Sequence, residues 1–399
     1  MARGARYRAA VSLDDDAREE LAALAAAHRL RVPRVVDGAQ GPLAIVDGRE
    51  VLNFASNDYL GLARDPRLAR AASSTLETDG LGVGASRLIV GNHRAHVELE
   101  AALADWLGCG GVRLFNAGYA ANVGVLTTLL RAGDVVFSDE LNHASIIDGC
   151  RLSRAEIVIV PHLDYAALER ALASRQGRRK LVVSESLFSM DGDLADVETL
   201  AALCRRHGAA FVLDEAHALG ALGDEGRGHA AELGVVPDVV IGTFGKSFGT
   251  FGAFAATTKH VAELLWNRAR PLVFSTGLPP SVAAASRASL EIIRGTEGND
   301  RRRAVAGHAR YLRTRLPRTL GAAASAIAPV LIGDEASTMA CTAQLLARGV
   351  FVQGIRPPTV PAGTSRLRIG LSASHTRTQM DQLVAALDDA MRHQDVAPP

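Results

Sequence analysis

Residues 239–249 are Val239-Val240-Ile241-Gly242-Thr243-Phe244-Gly245-Lys246-Ser247-Phe248-Gly249. The first three are β-branched, as expected for a buried strand, and the glycines that follow allow a loop whose backbone approaches a ligand closely. Two earlier segments have the same design: apolar 181–183 precedes polar 184–193, and apolar 211–213 precedes 214–217. In open α/β sheets, ligands bind where loops leave the carboxyl ends of strands. We therefore expect these three loops to meet at one edge of one sheet.

Short apolar runs alternate with longer helical patterns on both sides of these loops. The predicted strands are 112–115, 135–137, 157–160, 181–183, 211–213 and 239–241. Continuous apolar runs of this length are typical of strands that are buried on both faces, as in a parallel sheet covered by helices. The predicted fold class is therefore α/β, with a mostly parallel central sheet.

The chain of 399 residues is longer than one ordinary core requires, so we expect three units. Residues 1–50 form an N-terminal arm, in which a helix from about Asp14 to Arg31 buries one stripe of leucines, among them Leu21, Leu24 and Leu30. Residues 51–285 form the large α/β domain. Residues 286–399 form a smaller α+β domain.

Composition argues against several classes of partner. Forty-four basic residues balance 43 acidic ones and no long basic run occurs, so we expect no nucleic-acid partner. Neither an apolar signal core nor an uncharged apolar run of about 18 residues is found, which predicts no membrane partner. The scattered cysteines suggest a cytoplasmic protein without a disulfide framework. They are Cys109, Cys150, Cys204 and Cys341.

Lys246 and Asp214 are the residues with the clearest chemical potential. A lysine held away from bulk water loses basicity and becomes nucleophilic, although a lone lysine in such a loop is usually a solvated charge. An aspartate after a buried strand needs a partner for its charge. A protonated pyridine nitrogen would be such a partner. The open alternatives for Asp214 are a helix N-cap and a metal ligand beside His217.

Two further segments could hold a flat, phosphorylated ring. His143 follows the predicted strand 135–137 and could stack on such a ring, although an isolated histidine is more often structural. Residues 116–122 contain a glycine turn that opens a helix running to about Leu130. The N–H groups at a helix start bind phosphate, but many ordinary strand-to-helix turns look the same.

Ordered motifs from about Asn53 to the C-terminus resemble the α-oxoamine synthases, which are pyridoxal 5'-phosphate (PLP) enzymes with the aspartate-aminotransferase type of fold (PLP fold type I). The matching motifs are Asn57-Asp58-Tyr59-Leu60-Gly61-Leu62, Ser86-Arg87-Leu88-Ile89-Val90-Gly91-Asn92-His93, Ser189-Met190-Asp191-Gly192-Asp193, Asp214-Glu215-Ala216-His217 and Thr243-Phe244-Gly245-Lys246. The resemblance implies PLP as the cofactor and a homodimer with the active site at the interface.

The resemblance also implies a role for each matching residue. Lys246, as the Schiff-base lysine, would be catalytic together with Asp214 at the pyridine nitrogen and His143 stacked on the ring. The other cofactor-binding residues would be Ser189 and His217 near the 3'-oxygen, Thr243 beside the lysine, and Gly118, Tyr119 and the partner subunit's Thr276 at the phosphate. Arg368 would bind the amino acid's carboxylate, and Arg31, His143 and Thr359 would contact substrate. No metal is implied. Ala117 departs from the family, which often has serine there.

Residues 355–368, with a doubled proline before Thr359, resemble the biotin-pathway branch of this family. That branch joins L-alanine to a pimeloyl thioester, carried by coenzyme A or acyl carrier protein, with loss of carbon dioxide. The nearest alternatives are glycine C-acetyltransferase and 5-aminolevulinate synthase. A metal-dependent hydrolase that uses His93, His96, Asp214 and His217 is a further alternative, but it leaves Lys246 without a role. A binding module without activity is the weakest alternative.

Overall fold

The computed structural model describes residues 12–392. The strands are β1 (Val36–Asp37), β2 (Leu43–Val46), β3 (Arg49–Asn53), β4 (Gly111–Phe115), β5 (Val135–Asp139), β6 (Glu156–Val160), β7 (Lys180–Glu185), β8 (Ala209–Asp214), β9 (Val239–Thr243), β10 (Ala253–Thr257), β11 (Ile327–Gly333), β12 (Val350–Phe351), β13 (Gln353–Ile355) and β14 (Ser365–Gly370).

The helices lie mostly between these strands. They are α1 (Leu13–Ala26), α2 (Pro66–Asp79), α3 (Arg94–Leu107), α4 (Gly118–Leu129), α5 (Ala144–Ser153), α6 (Tyr165–Ser174), α7 (Val197–His207), α8 (His229–Glu232), α9 (Lys259–Arg268), α10 (Arg270–Val273), α11 (Pro280–Arg294), α12 (Thr296–Arg315), α13 (Glu335–Ala347) and α14 (Arg377–Arg392).

The central sheet has seven strands in the order β4-β10-β9-β8-β7-β5-β6. The pairs from β9 to β6 are parallel, and only β10 runs against its two neighbours. All six predicted strands are present, each within about two residues of the expected bounds. The α/β fold with a mostly parallel sheet is confirmed.

The central strands are buried on both faces, as their composition predicts. In β7, Leu181 and Val183 pack into the apolar cluster on one side of the sheet. The intervening Val182 packs into the cluster on the other side. Because successive side chains of a strand point to opposite faces, a strand between two cores has no solvent-facing positions to fill with polar residues.

The antiparallel strand β10 was not predicted. Three of its five residues are alanines, and alanine is a weak strand former. All five residues are nevertheless buried, because β10 is hydrogen-bonded between β4 and β9. Tertiary pairing therefore decides the structure of this segment against its local preference.

The N-terminal helix differs from its prediction in two ways. It ends at Ala26 rather than near Arg31, just before His28, whose φ of 55° is incompatible with a continuing helix. None of its residues is buried within the chain, and Leu21 and Leu24 are 53% and 41% exposed. The predicted buried stripe was therefore wrong, because no residue between 12 and 392 packs over the leucines closely enough to bury them.

Strands from the start of the chain join elements from its end. β3 pairs in parallel with β12, in a sheet of order β1-β2-β3-β12. Phe54 packs into the core formed by α12, α13, α14 and the antiparallel sheet β11-β14-β13. The division into 1–50, 51–285 and 286–399 stays a proposal. Its boundaries fall inside β3 and inside α11.

Between residues 12 and 392, no helix is long and apolar enough to cross a membrane.

Candidate active site

The site lies at the carboxyl edge of the central sheet, where β5, β7, β8 and β9 end side by side. Glu185, the last residue of β7, is in register with Asp214, the last residue of β8, and Asp214 is in register with Ile241 of β9. The loops that carry His143, Ser189, His217 and Lys246 all leave this edge. The structure thus brings the predicted loops together.

Lys246 follows β9 in a glycine-bounded loop. Its backbone carbonyl accepts from the Gly249 N–H at 2.9 Å, but its Nζ forms no hydrogen bond or ion pair with any residue between 12 and 392. Burial lowers the pKa of its ammonium group to about 8, although the charges of Asp214 and Glu185 oppose this shift and Arg368 adds to it. A pKa near 8 leaves an appreciable fraction of the amine neutral at physiological pH. Neutral amine is the form that acts as a nucleophile or base.

Asp214 is 6% exposed and accepts two hydrogen bonds. Its Oδ2 accepts from Asn122 Nδ2 at 2.7 Å, and its Oδ1 accepts from the Ala216 N–H at 2.9 Å. The second bond closes a local turn, because Asp214 accepts from an N–H only two residues further on. The N-cap alternative had likewise expected the Asp214 side chain to bond a backbone N–H that follows it. However, no basic side chain of the described residues forms an ion pair with Asp214. A buried carboxylate in this position still lacks a cationic partner.

His143 is the N-cap of α5 and retains an exposed surface. Its backbone N–H donates to Glu185 Oε1 at 2.7 Å, and its Nδ1 lies 2.7 Å from Ser145 Oγ. Partial desolvation lowers the pKa of His143, against the opposing effect of the Asp214 charge. The imidazole is therefore held in place by Ser145, and its neutral form is favoured.

Glu185 was not predicted as a site residue. It is 3% exposed, and burial raises its pKa to about 8, with a further rise from the Asp214 charge. Polarity at the end of a buried strand was the signal that identified Asp214, and the same signal at β7 would have identified Glu185. Asn122, which holds Asp214, carries no comparable signal because it lies within α4.

His217 and Arg368 are joined by Tyr59, which lies in a motif quoted above but was given no role. The Tyr59 hydroxyl is 2.7 Å from His217 Nδ1 and 3.3 Å from Arg368 Nη2. Arg368 also donates from Nε to the Ser189 carbonyl at 2.6 Å. Its Nη1 makes no hydrogen bond with the described residues and can bind a carboxylate.

The loop that carries Ser189 follows β7 and is anchored at two positions, Asp191 and Asp193. Arg366 forms an ion pair with Asp191. His162 bridges Asp139 Oδ1 at 2.9 Å and Asp193 Oδ2 at 2.8 Å. Arg366 therefore ties this loop to β14, and His162 ties it to the end of β5. Both links restrict where Ser189 can move.

Thr243 ends β9, and its hydroxyl donates to the Gly252 carbonyl at 3.0 Å and accepts from the Gly245 N–H at 3.2 Å. These bonds shape the turn that carries Lys246.

The predicted phosphate end is the start of α4. Its N-cap, Ala117, supplies no side-chain hydrogen bond, and the position where a Cβ of Gly118 would lie is open space. Tyr119 is half exposed, and its hydroxyl bonds Asp148. Thr276 lies beside this turn in the same chain, where its carbonyl accepts from Asn116 Nδ2 at 2.7 Å.

Arg31 and Thr359 come together although 328 positions separate them in sequence: Arg31 Nη2 donates to Thr359 Oγ1 at 3.2 Å. Both side chains are exposed. The two predicted substrate contacts therefore form one small surface between the N-terminal segment and the loop after β13.

The hydrolase alternative loses its support in this arrangement. His96 Nε2 bonds the Leu278 carbonyl at 2.6 Å, and His217 Nδ1 bonds Tyr59. Among residues 12–392, no three His, Cys, Asp or Glu side chains are grouped so that they could hold a metal ion.

The residues fit PLP on three structural grounds. Among the described residues, the buried carboxylate of Asp214 forms no ion pair, and the Lys246 amine of lowered pKa forms no hydrogen bond or ion pair. The start of α4 has no side-chain cap, and the space where a Cβ of Gly118 would lie is open. These match a pyridine nitrogen, an aldehyde and a phosphate, respectively. The fold and the site thus define a PLP-dependent enzyme of the aspartate-aminotransferase type.

Comparisons with known proteins agree with this class. The family model for aminotransferase class I and II matches residues 49–387. A serine palmitoyltransferase from S. paucimobilis with bound PLP superposes with a TM-score of 0.91 at 32% identity, over 97% of this chain and 99% of that one. The serine palmitoyltransferase of Sphingomonas wittichii gives 0.89 at 35% identity, over 96% and 98%.

The sequence relatives are more specific. An 8-amino-7-oxononanoate synthase of Geobacter sulfurreducens is 48% identical over 89% of this chain and 92% of its own length. One from Anaeromyxobacter dehalogenans is 50% identical over 92% and 93%. This chain belongs to the aminotransferase class I and II family and, within it, to the α-oxoamine synthases. The predicted family, fold type and PLP cofactor are confirmed.

Proposed function

We propose that this chain condenses L-alanine with a pimeloyl thioester to give 8-amino-7-oxononanoate, carbon dioxide and the free thiol carrier, a step of biotin biosynthesis. The observation that carries the proposal is the placement of Lys246 and the open Nη1 of Arg368 in one buried site. Its support from relatives is the name shared by the synthases above, which match nearly the full chain.

The cofactor-holding roles are proposed from the geometry. Lys246 would bond PLP covalently, Asp214 would hold the pyridine nitrogen, and His143 would stack on the ring. The 3'-oxygen would lie near Ser189 and His217, and Thr243 would lie beside the lysine. The phosphate would be held by Gly118, Tyr119 and the partner subunit's Thr276. When bound, PLP supplies an electron sink for the electron pair left when a bond to the amino acid's Cα breaks.

The protein's own groups would position and deprotonate the amino acid. The guanidinium of Arg368 binds the alanine carboxylate through Nη1, which fixes the orientation of Cα. The Lys246 amine, released when the alanine amine takes its place, would then remove the Cα proton, a task suited to its lowered pKa. Cα attacks the acyl carbon, the C–S bond breaks, and the thiol leaves. Loss of carbon dioxide and return of the proton complete the product.

Substrate preference tests the proposal. We expect a much higher kcat/KM for L-alanine with pimeloyl thioester than for glycine with acetyl-CoA. A pocket for the alanine methyl is worth only about 1–3 kcal/mol. Several additional buried methylenes contribute about 0.8 kcal/mol each. Arg31 and Thr359 are the proposed contacts of the acyl substrate. An equal or higher kcat/KM with glycine and acetyl-CoA would contradict the biotin-pathway assignment but not the PLP chemistry.

The same assay identifies the thiol that carries the pimeloyl group. For this purpose, kcat/KM is compared for pimeloyl-CoA and pimeloyl-acyl carrier protein at matched concentrations. Thr359→Ala and Arg31→Ala should raise KM for the acyl substrate and leave KM for alanine nearly unchanged. Arg34→Ala is the matched control, because Arg34 is also an exposed arginine of the N-terminal segment but pairs with Asp47 instead.

We also propose a homodimer in the cytoplasm. Ile89, Val90 and Phe274 are 71%, 70% and 72% exposed, and the bridge between Ser86 and Thr276 brings their loops together. A second copy would cover this apolar surface. Sedimentation of the wild type should give a dimer, and Ile89→Asp should shift it toward monomer. The cysteines Cys109, Cys150, Cys204 and Cys341 are all free, as suits a reducing compartment.

A further inference from the structure

The hydroxyl of Tyr59 is shared among three polar groups in the interior of the site. It lies 2.7 Å from His217 Nδ1, 3.3 Å from Arg368 Nη2 and 3.2 Å from Asn57 Oδ1. Tyr59 is fully buried, and His217 and Arg368 are 6% and 5% exposed. Water therefore cannot readily replace any member of this group.

The direction of these hydrogen bonds follows from what each group can donate. An arginine has only donors, so the Tyr59 oxygen must accept from Arg368. The single hydroxyl hydrogen then has two possible acceptors, Asn57 Oδ1 and His217 Nδ1. If it goes to Asn57, Nδ1 of His217 must carry a proton. If it goes to His217, Nδ1 must be bare.

Two observations favour donation to His217. The contact of 2.7 Å has the length usual for a hydroxyl donor, whereas N–H donors commonly lie at about 2.9–3.0 Å. The contact to Asn57 is 0.5 Å longer. In addition, burial lowers the pKa of His217 well below its ordinary value, and the nearby charges of Lys246 and Arg368 lower it further. A neutral imidazole with a bare Nδ1 carries its proton on Nε2.

We propose that Tyr59 is a positioning residue that links Arg368 to His217 and fixes His217 as its Nε2–H tautomer. The proposal rests on the proposed function, because that function gives Arg368 and His217 their roles toward substrate and cofactor. His217 Nε2 forms no hydrogen bond with the described residues and so remains a free donor at the site. Because Arg368 can only donate to the Tyr59 oxygen, the hydroxyl hydrogen is free to go to His217 Nδ1, and the proton of the imidazole then lies on Nε2.

The tautomer can be measured without turnover. The holoenzyme, labelled with 15N-histidine, is studied by NMR, and His217→Asn identifies the His217 signals by their loss. We expect the Nδ1 shift of an unprotonated nitrogen and the Nε2 shift of a protonated one. A protonated Nδ1, in the neutral ring or in an imidazolium, overturns the proposal. This readout is made on the wild-type protein, so it does not depend on whether Tyr59→Phe folds.

Removal of the hydroxyl gives a second test. In Tyr59→Phe, His217 should become a mixture of tautomers, and kcat should fall about tenfold, the effect of losing one hydrogen bond. Tyr165→Phe is the control, because Tyr165 also loses one hydroxyl contact, that with the Asp196 N–H, but lies outside the site. An unchanged His217 tautomer in Tyr59→Phe overturns the proposal. If wild type shows the Nε2–H form but does not turn over alanine and pimeloyl thioester, only the proposed function fails.

Discussion

Replacing His162 should remove a charged link that holds the Ser189 loop. The imidazole bridges Asp139 and Asp193 and packs edge-on against Phe188, with ring centroids 4.5 Å apart. Burial alone would lower the pKa of His162, but its hydrogen bonds to the two aspartates outweigh burial and raise the pKa to about 10. In His162→Gln, a neutral amide faces the same two carboxylates.

The size of the effect follows from this pKa. A tenfold change in proton affinity is worth about 1.4 kcal/mol, so a pKa of about 10 in place of 6.5 sets an upper limit of roughly 5 kcal/mol. The side chains of His162 and Asp193 are 18% and 32% exposed, and solvent screens the pair. We expect His162→Gln to lower the free energy of unfolding by about 2–3 kcal/mol, as for two charge-assisted hydrogen bonds partly exposed to water.

The pH dependence distinguishes this charge effect from a simple packing defect. The pKa of His162 is higher in the folded state than in the unfolded chain, so its stabilisation is complete below about pH 6.5 and is lost as pH rises toward about 10. Urea unfolding of wild type and variant should therefore differ most near pH 6 and converge only above about pH 10. His260→Gln, at an exposed position of α9, is the matched control. A difference that is independent of pH would refute the reasoning.

Three further variants test the site directly. Lys246→Ala should abolish turnover and still bind PLP through Asp214 and the start of α4. Borohydride should no longer trap the cofactor on this variant. Turnover at the wild-type rate would exclude Lys246 as the catalytic amine. Asp214→Asn should lower kcat far more than it raises KM, whereas unchanged kcat with impaired folding would support the N-cap role. Arg368→Lys should raise KM for alanine at least about tenfold, because a lysine cannot keep the Ser189 carbonyl and bind a carboxylate together, and a normal KM would remove Arg368 from substrate binding.

The sequence predicted the central sheet well because burial on both faces leaves a simple signal. Every residue of β7 beyond Lys180 is buried, and its apolar run Leu181–Val183 suits burial on both faces of the sheet. β10 lacks that signal, since alanines serve helices and strands alike when they are buried. The leucines of α1 gave a misleading signal, because an apolar stripe shows that a surface can be covered and not that this chain covers it.

The site could be predicted where function depends on residue type at the end of a strand. Asp214 ends a strand, and His143 and Lys246 lie within four residues of one, so local pattern and motif located them. Tyr59 is different, because its importance arises from contacts with residues 158 and 309 positions away in the sequence. A hydroxyl that joins two distant side chains has no local pattern of its own.

The pairing of β3 with β12 has a consequence for the order in which the protein forms. Leu52 pairs in register with Val350, and its N–H donates to the Gly349 carbonyl at 2.7 Å, so this edge closes only after roughly 300 further residues have been synthesised. Until then Phe54 lacks the residues of α12, α13, α14, β11 and β14 against which it packs. β3 is therefore synthesised long before it can become fully native, and until its partner strand is made it is exposed to contacts with other chains.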